Sequence, residues 1–170
     1  MPTNSFPIED KMVAVIRHAG RKNENRESSA AWTFSIKKSL TNLGHKLDYK
    51  VFASGPKKLN TDSGEWLFDL CWADLGKNWR DLKGLKLISE IERQNDDDNI
   101  LKDFRKLTVG IAEFRLFVTT YKEGKKGERK LLDSVNLCKS VCPGSRGFRY
   151  LYVASSVKHP GRIKKFAWTV

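Results

Sequence analysis

Short apolar runs of strand length alternate with amphipathic segments of helical period along most of this chain. The strand-like runs occupy residues 47–53, 65–75, 85–92, 113–121, 148–156 and 164–170. Helical spacing of apolar side chains is present over residues 29–44, 100–112 and 131–142. Because apolar runs of this kind need cover on both faces and helices lie between them, the order predicts an α/β domain with three layers, in which a mixed central sheet is flanked by helices.

The whole chain of 170 residues fits one domain, and we expect its core over about residues 26–155, with a basic arm on either side. No run reaches the roughly 18 to 20 apolar residues of a membrane span. The three cysteines, Cys71, Cys138 and Cys142, form no CxxC pair, which favours reduced thiols. Since the N-terminal segment is also a poor secretion signal, we expect a cytoplasmic protein that does not contact a membrane.

The net charge of +12 is unevenly distributed along the sequence. Residues 1–60 carry +6, residues 61–120 carry −3 and residues 121–170 carry +9. Because Lys and Arg side chains placed on phosphates release condensed counterions, this distribution favours nucleic acid as a partner. The expected backbone contacts lie in a basic loop at 122–130 and in a turn at 162–165. The six residues are Lys125, Lys126, Arg129, Arg162, Lys164 and Lys165.

Acidic side chains interrupt the apolar runs in the middle of the chain. Asp69 lies within WLFDLCW, and Glu90 and Glu92 lie within LISEIE. A carboxylate costs several kcal/mol to desolvate unless it is paired or binds a cation. Strand periodicity puts Glu90 and Glu92 on one face, about 6.6 Å apart. If Asp69 on a neighbouring strand points the same way, the three carboxylates converge as Mg²⁺ or Mn²⁺ requires.

Such a metal site has the chemistry for phosphodiester hydrolysis. The ion would stabilise charge on the scissile phosphate and lower the pKa of a bound water. We expect Asp69 and Glu90 to be the metal ligands. Glu92 would hold a second ion or take the proton from the attacking water.

At these residues the sequence resembles the PD-(D/E)XK nuclease superfamily. The matching features are the acid Asp69 in one strand, the Glu90-Ile91-Glu92 motif at the end of the next, and the following helix. The resemblance implies a restriction-endonuclease-like αβββαβ core and a magnesium-dependent endonuclease acting on double-stranded DNA. Asp69, Glu90 and Glu92 would be its catalytic residues. A homodimer would suit cleavage of both strands.

The sequence departs from the superfamily pattern at Glu92, where a lysine is usual. In this superfamily the lysine can move to the following helix, where Lys106 is available. At 100° per residue, however, Lys106 points about 140° away from the apolar stripe, so we expect a solvated side chain.

Other interpretations of the same residues remain open. Asp69 could be an edge-strand acid paired with an arginine, and Glu90 and Glu92 could face solvent if their strand lies at an edge. The chain could also be a catalytically inactive nucleic-acid-binding or assembly module that keeps the nuclease fold, or a protein-binding adaptor. A steep fall in affinity with added salt marks phosphate contacts, so it would distinguish the nuclease and the nucleic-acid-binding module from the adaptor.

Overall fold

A computed structural model describes residues 6–22, 28–64, 66–76, 81–93, 96–143 and 147–170. The helices are α1 (Pro7–Lys22), α2 (Ser29–Lys46), α3 (Asp97–Val109) and α4 (Lys125–Ser140). The strands are β1 (Lys50–Ala53), β2 (Leu70–Leu75), β3 (Leu82–Ile91), β4 (Phe114–Tyr121), β5 (Arg149–Ser156) and β6 (Ile163–Thr169). A short 3-10 helix at Lys57–Leu59 follows β1.

The strands of the described chain form one open sheet in the order β1-β2-β3-β4-β5-β6. The β1–β2 and β2–β3 pairs are antiparallel, the β3–β4 and β4–β5 pairs are parallel, and the β5–β6 pair is antiparallel. The parallel pairs require crossover connections, which α3 and α4 supply. As a result β1, β3, β4 and β5 end at the same side of the sheet where β2 and β6 begin. We call this side the carboxyl edge.

Helices cover both faces of the sheet, so the molecule has three layers. On one face, Trp32, Ile36 and Leu40 of α2 and Met12 and Ile16 of α1 belong to one buried cluster with residues of the sheet. The other face has its own buried cluster. It contains Ile100, Phe104 and Leu107 of α3, Leu131 and Val135 of α4, and Cys71, Phe117 and Tyr152 of the sheet. The α/β class predicted from the sequence is therefore confirmed.

The terminal segments, which the sequence predicts as basic arms, form α1 and β6. Strand β6 pairs along its length with β5. Helix α1 is tied to β5 by the fully buried Glu9, whose two carboxylate oxygens accept from Arg149 Nε at 2.6 Å and Nη2 at 3.0 Å. A bidentate pair of this kind fixes the orientation of both groups.

Several element boundaries differ from the sequence prediction, among them those of β2 and α4. Strand β2 begins at Leu70, five residues later than expected, because β1 has only four residues and pairs with Leu70 to Ala73. Leu67 is consequently 78% exposed. The basic segment predicted as a loop at 122–130 instead enters α4 at Lys125.

Helix α3 ends at Val109, so Ile111 lies outside the predicted stripe and is 77% exposed. The cause is Arg115, a fully buried arginine on β4. Its guanidinium donates to the carbonyls of Leu107 at 3.0 Å, Ala112 at 2.8 Å and Gly110 at 2.5 Å. These bonds satisfy carbonyl groups that a helix end leaves without partners.

No helix in the described ranges is long and apolar enough to cross a bilayer. All three cysteines are free thiols, and Cys71 and Cys138 are buried.

The run of three aspartates at 96–98 lies at the start of α3. The side chain of Asp96 accepts from the Asn99 amide at 2.9 Å and so caps the helix.

Candidate functional site

Asp69 and Glu90 come together at the carboxyl edge from neighbouring strands. Asp69 immediately precedes β2, and Glu90 is the second-last residue of β3. The register pairs Leu70 with Ser89, which brings the two acids to the same level of the sheet. The amide of Ile91 donates to Asp69 Oδ2 at 2.8 Å and so holds this carboxylate against the end of β3.

The other oxygen of Asp69 binds a lysine from α2. Lys37 Nζ lies 3.0 Å from Asp69 Oδ1 and 3.5 Å from Ser54 Oγ. Although it is a lysine, Lys37 is 8% exposed. A buried ammonium needs a counter-ion, which Asp69 supplies. Asp69 itself keeps 27% of its side chain exposed, so solvent and ligands reach it.

Glu90 is buried in a central strand, so the edge-strand alternative is wrong for this residue. Its Oε2 accepts from Lys106 Nζ at 3.0 Å, whereas its Oε1 is buried and has no hydrogen-bond partner in the described part of the chain. Burial raises the pKa of Glu90 to about 7. The hydrogen bond and charge of Lys106 lower this pKa, whereas the charges of Asp69 and Asp103 raise it further. The charge interaction with Asp69 indicates that the two carboxyl groups share one environment.

Lys106 belongs to this site: its side chain is 44% exposed, as expected for a solvated lysine, but its ammonium also pairs with Glu90. Its Nζ contacts both Glu90 and, at 2.8 Å, Asp103. Partial burial alone would lower the pKa of Lys106, but its hydrogen bonds to Asp103 and Glu90 raise it above the usual value. The helical angle describes only the direction of the Lys106 Cα, whereas its long flexible side chain can turn back to the sheet. Phe104 of the same helix packs on Phe117, the β4 neighbour of Glu90, so the stem needs to span only a short distance.

The third predicted acid, Glu92, lies one residue beyond β3. Its amide donates to the Val118 carbonyl at 2.9 Å, and its side chain is half-buried. Asp74, another acid of the same stretch of sequence, is exposed on β2. Glu27 and Glu65 lie outside the described residues.

The donor set fits a magnesium ion in part. In the described ranges no group of three or more His, Cys, Asp or Glu side chains is arranged to hold a metal. Mg²⁺, however, usually keeps several waters and takes only one or two carboxylates from the protein. Asp69 supplies a partly exposed carboxylate and Glu90 an oxygen without a hydrogen-bond partner among the described residues, and both are ligands of the hard type that this ion prefers.

The six predicted backbone contacts lie near the same edge, in two groups. Lys125, Lys126 and Arg129 are exposed on the first turns of α4. The other three have acidic neighbours: Arg162 with Glu123 at 3.3 Å, Lys164 with Glu128 at 3.4 Å and Lys165 with Asp10 at 2.8 Å.

A depression of about 560 Å³ lies at the carboxyl edge beside these residues. Its walls include Arg162 and Lys164 together with Arg17 and Arg21 from the last turns of α1. Sequence reasoning did not single out the two arginines, although their i, i+4 spacing puts them on one helix face. The depression lies at the ends of β4 and β5, roughly 10 Å from β3 at the usual strand spacing.

A serine, a histidine and a glutamate also meet near this depression. Glu123 Oε1 accepts from Ser156 Oγ at 2.6 Å and from His159 Nδ1 at 2.9 Å, and these two bonds lower the pKa of Glu123. Ser156 Oγ also accepts from the amides of Lys158 and His159. Because the serine donates directly to the carboxylate and not to the imidazole, the group is not a catalytic triad and instead holds the turn before β6.

The carboxyl edge thus combines two carboxylates, a lysine from each helical layer and a nearby basic depression. Such a combination can hold a cation, bind phosphate and move a proton near neutral pH. No protein-family model, curated protein or solved structure matches this chain in the three comparisons.

Proposed function

We propose that this chain is a metal-dependent endonuclease that hydrolyses DNA phosphodiester bonds at the carboxyl edge. The observation that carries the proposal is the meeting of Asp69 and Glu90 from adjacent strands, with one buried oxygen of Glu90 lacking a hydrogen-bond partner. A buried carboxylate oxygen without a partner costs free energy, and a bound metal ion would remove this cost.

The arrangement of elements supports a nuclease of the PD-(D/E)XK type. From α2 to β4 the order is helix, three strands, helix and strand, as in the αβββαβ core. Asp69 and Glu90 would correspond to the two acids of that motif, and Lys106 on the following helix, which pairs with Glu90, would take the place of the missing lysine. With Lys106 in this role, residue 92 does not have to supply the lysine of the motif, and Glu92 would be a supporting acid.

Asp69 and Glu90 would hold a Mg²⁺ or Mn²⁺ ion. When bound, such an ion stabilises charge on a phosphate and lowers the pKa of a coordinated water. The chain's own residues orient the acids: the Ile91 amide and Lys37 fix Asp69, and Lys106 favours the ionised form of Glu90. Lys106 is 44% exposed, so its ammonium is also within reach of a phosphate oxygen.

The substrate backbone would lie across the basic residues of the carboxyl edge. Arg17 and Arg21 would bind phosphate together with Lys125, Lys126 and Arg129. Arg162, Lys164 and Lys165 would exchange their acidic neighbours for phosphates. These contacts position DNA without reading its sequence. A homodimer would place two such sites on opposite strands.

The test is cleavage of supercoiled and linear DNA with Mg²⁺ or Mn²⁺ at pH 8, where Glu90 is ionised. Asp69→Asn and Glu90→Gln should each lose cleavage by roughly 100-fold or more while keeping DNA affinity, because each removes a ligand and reduces repulsion of phosphate. Asp74→Asn is the matched control, since Asp74 is an exposed acid on β2, the strand that Asp69 precedes. Cleavage that survives both site variants would contradict the proposal.

One observation favours a second function, a catalytically inactive nucleic-acid-binding module. Lys37 and Lys106 already form ion pairs with both acids, which lessens their need for a metal. This alternative predicts DNA binding without cutting at any metal concentration, and binding that Asp69→Asn and Glu90→Gln leave unchanged.

A further inference from the structure

A groove runs between α1 and α2, and it shares no lining residue with the basic depression or with the acids of the site. It has a volume of about 840 Å³. Six apolar side chains form its floor and walls: Ala14, Val15, Ala19, Phe34, Leu43 and Leu47. Val15, Phe34 and Leu47 are only partly buried, although they pack against the core cluster. The groove therefore leaves apolar surface in water that a partner can cover.

Basic side chains surround this apolar floor. They are Lys11, His18, Lys22, Lys38 and Lys46, and no acidic residue lines the groove within the described residues. Several basic residues elsewhere on the surface have acidic neighbours, as in the pairs Lys165–Asp10 and Lys50–Asp62. None of the four groove lysines forms such a pair with a described residue, so within the described ranges this positive charge has no acidic partner.

The dimensions suit a helix of about three turns. The α1 wall runs from Lys11 to Lys22, about 16 Å at 1.5 Å per residue, and the α2 wall from Phe34 to Leu47 is slightly longer. The small side chains of Ala14, Ala19 and Ser39 leave space between the walls. A helix laid along this groove can bury apolar residues at i, i+3, i+4 and i+7.

We propose that this groove binds an acidic amphipathic α-helix of a partner protein. The apolar stripe of that helix would cover Val15, Phe34 and Leu47, and its carboxylates would face the lysine rim. Electrostatic complementarity of this kind gives specificity and fast association. This proposal is independent of the proposed nuclease, which uses the carboxyl edge.

Nucleic acid and an anionic membrane fit this groove less well. The floor offers alkyl groups where base edges need hydrogen-bond partners, and Lys58 already lies 4.8 Å from the centre of the Phe34 ring. A flat bilayer would meet the lysines before it reached the concave apolar floor. Both are nevertheless included as arms of the test.

The experiment is selection from a displayed library of 14-residue helical peptides on the full chain. It is run in parallel on Ala14→Trp, which fills the groove at an exposed position. We expect the full chain to enrich peptides with acidic residues beside an apolar stripe of helical period, and the filled variant to enrich none. A lack of enrichment, equal enrichment on both proteins, or enrichment of basic or non-periodic peptides would overturn the proposal.

An enriched peptide is then measured by fluorescence anisotropy against a second set of variants. Lys38→Glu with Lys46→Glu should weaken binding by about tenfold or more, whereas Lys102→Glu on α3 should change it by less than about twofold. Circular dichroism checks that each variant is folded. If the charge reversals leave the affinity for the peptide unchanged, the assigned partner is wrong. It is also wrong if a DNA duplex or phosphatidylserine vesicles displace the peptide and their binding is weakened by the same variants.

Discussion

Glu90 places an ionisable group inside a central strand, so its protonation affects the stability of the whole fold. Its folded pKa of about 7 lies above the usual 4.5. Between these values the native state binds more protons than the unfolded chain, and the free energy of unfolding therefore falls as the pH rises. Relative to Glu90→Gln, wild type should lose up to about 3 kcal/mol between pH 4.5 and 7, as measured by urea unfolding at a series of pH values.

The control for this pH series is Asp74→Asn, which removes an exposed acid from β2. It should show the same pH dependence as wild type. A wild-type curve that runs parallel to that of Glu90→Gln across this window would show that Glu90 does not titrate there.

Lys106 lowers the pKa of Glu90 through its hydrogen bond and its charge. In Lys106→Met the pKa of Glu90 should therefore rise above the wild-type value, because burial and the two neighbouring acids are no longer opposed. The measurement is a carboxyl carbon chemical-shift titration of Glu90 in the protein without metal.

The matched control is Lys102→Met on the same helix, since Lys102 is also exposed but makes no contact with Glu90 among the described side-chain bonds. It should leave the Glu90 midpoint in place. An unchanged midpoint in Lys106→Met would mean that the ammonium does not act on this carboxylate.

The acids of the site could be predicted from the sequence, but the lysines that hold them could not. Asp69 and Glu90 stand out because a carboxylate in an apolar run requires an explanation. Lys37 gives a weaker signal: with Thr41 and Gly44 it forms a buried row beside the apolar stripe of α2. Lys106 gives no signal in angular spacing, because the position of its ammonium depends on a flexible side chain and on tertiary packing.

Among the elements, α1 depends on one close approach to the turn before β6. A Cβ built on Gly20 would lie 2.0 Å from the Pro160 carbonyl oxygen. Gly20→Ala should therefore destabilise the protein by about 1 to 3 kcal/mol, despite the better helix propensity of alanine, because the helix and the turn must separate. Chemical unfolding at constant pH measures this change.

Gly84 on β3 provides the comparison, since a Cβ there meets nothing within 4 Å. Gly84→Ala should change stability by less than about 1 kcal/mol. Equal stability of the two variants would mean that α1 does not press against the turn.

Elements with strong periodicity could be predicted from the sequence, whereas those defined by pairing could not. The stripe of Ile100, Phe104 and Leu107 predicts α3, and the apolar run at 113–121 predicts β4. The start of β2 depends on how far its partner β1 extends, and the residues around position 65 do not reveal this. The end of α3 depends on the buried Arg115, which belongs to the next strand.

At the scale of the whole molecule, the fold places unlike charges at one edge of the sheet. The acidic middle of the sequence supplies Asp69 and Glu90, and the basic terminal thirds supply Arg17, Arg21 and the residues around α4 and β6. The sequence gives the net charge of each third of the chain, but only the topology brings these charged residues to one edge of the sheet. The crossover connections make β3, β4 and β5 run in the same direction, so that all three strands end at this edge.

This arrangement predicts how DNA binding depends on salt. If Arg17 and Arg21 contact phosphates, Arg17→Gln with Arg21→Gln should reduce the slope of log affinity against log salt by about 2, since each lost phosphate contact accounts for about 0.9. Lys83→Gln with Lys139→Gln removes the same charge at the opposite edge, where β3 begins and α4 ends. The slope for this control should stay close to that of wild type, as measured by anisotropy with a labelled duplex from 50 to 300 mM salt. Equal reductions in both variants would mean that DNA responds to net charge alone and does not bind at the carboxyl edge.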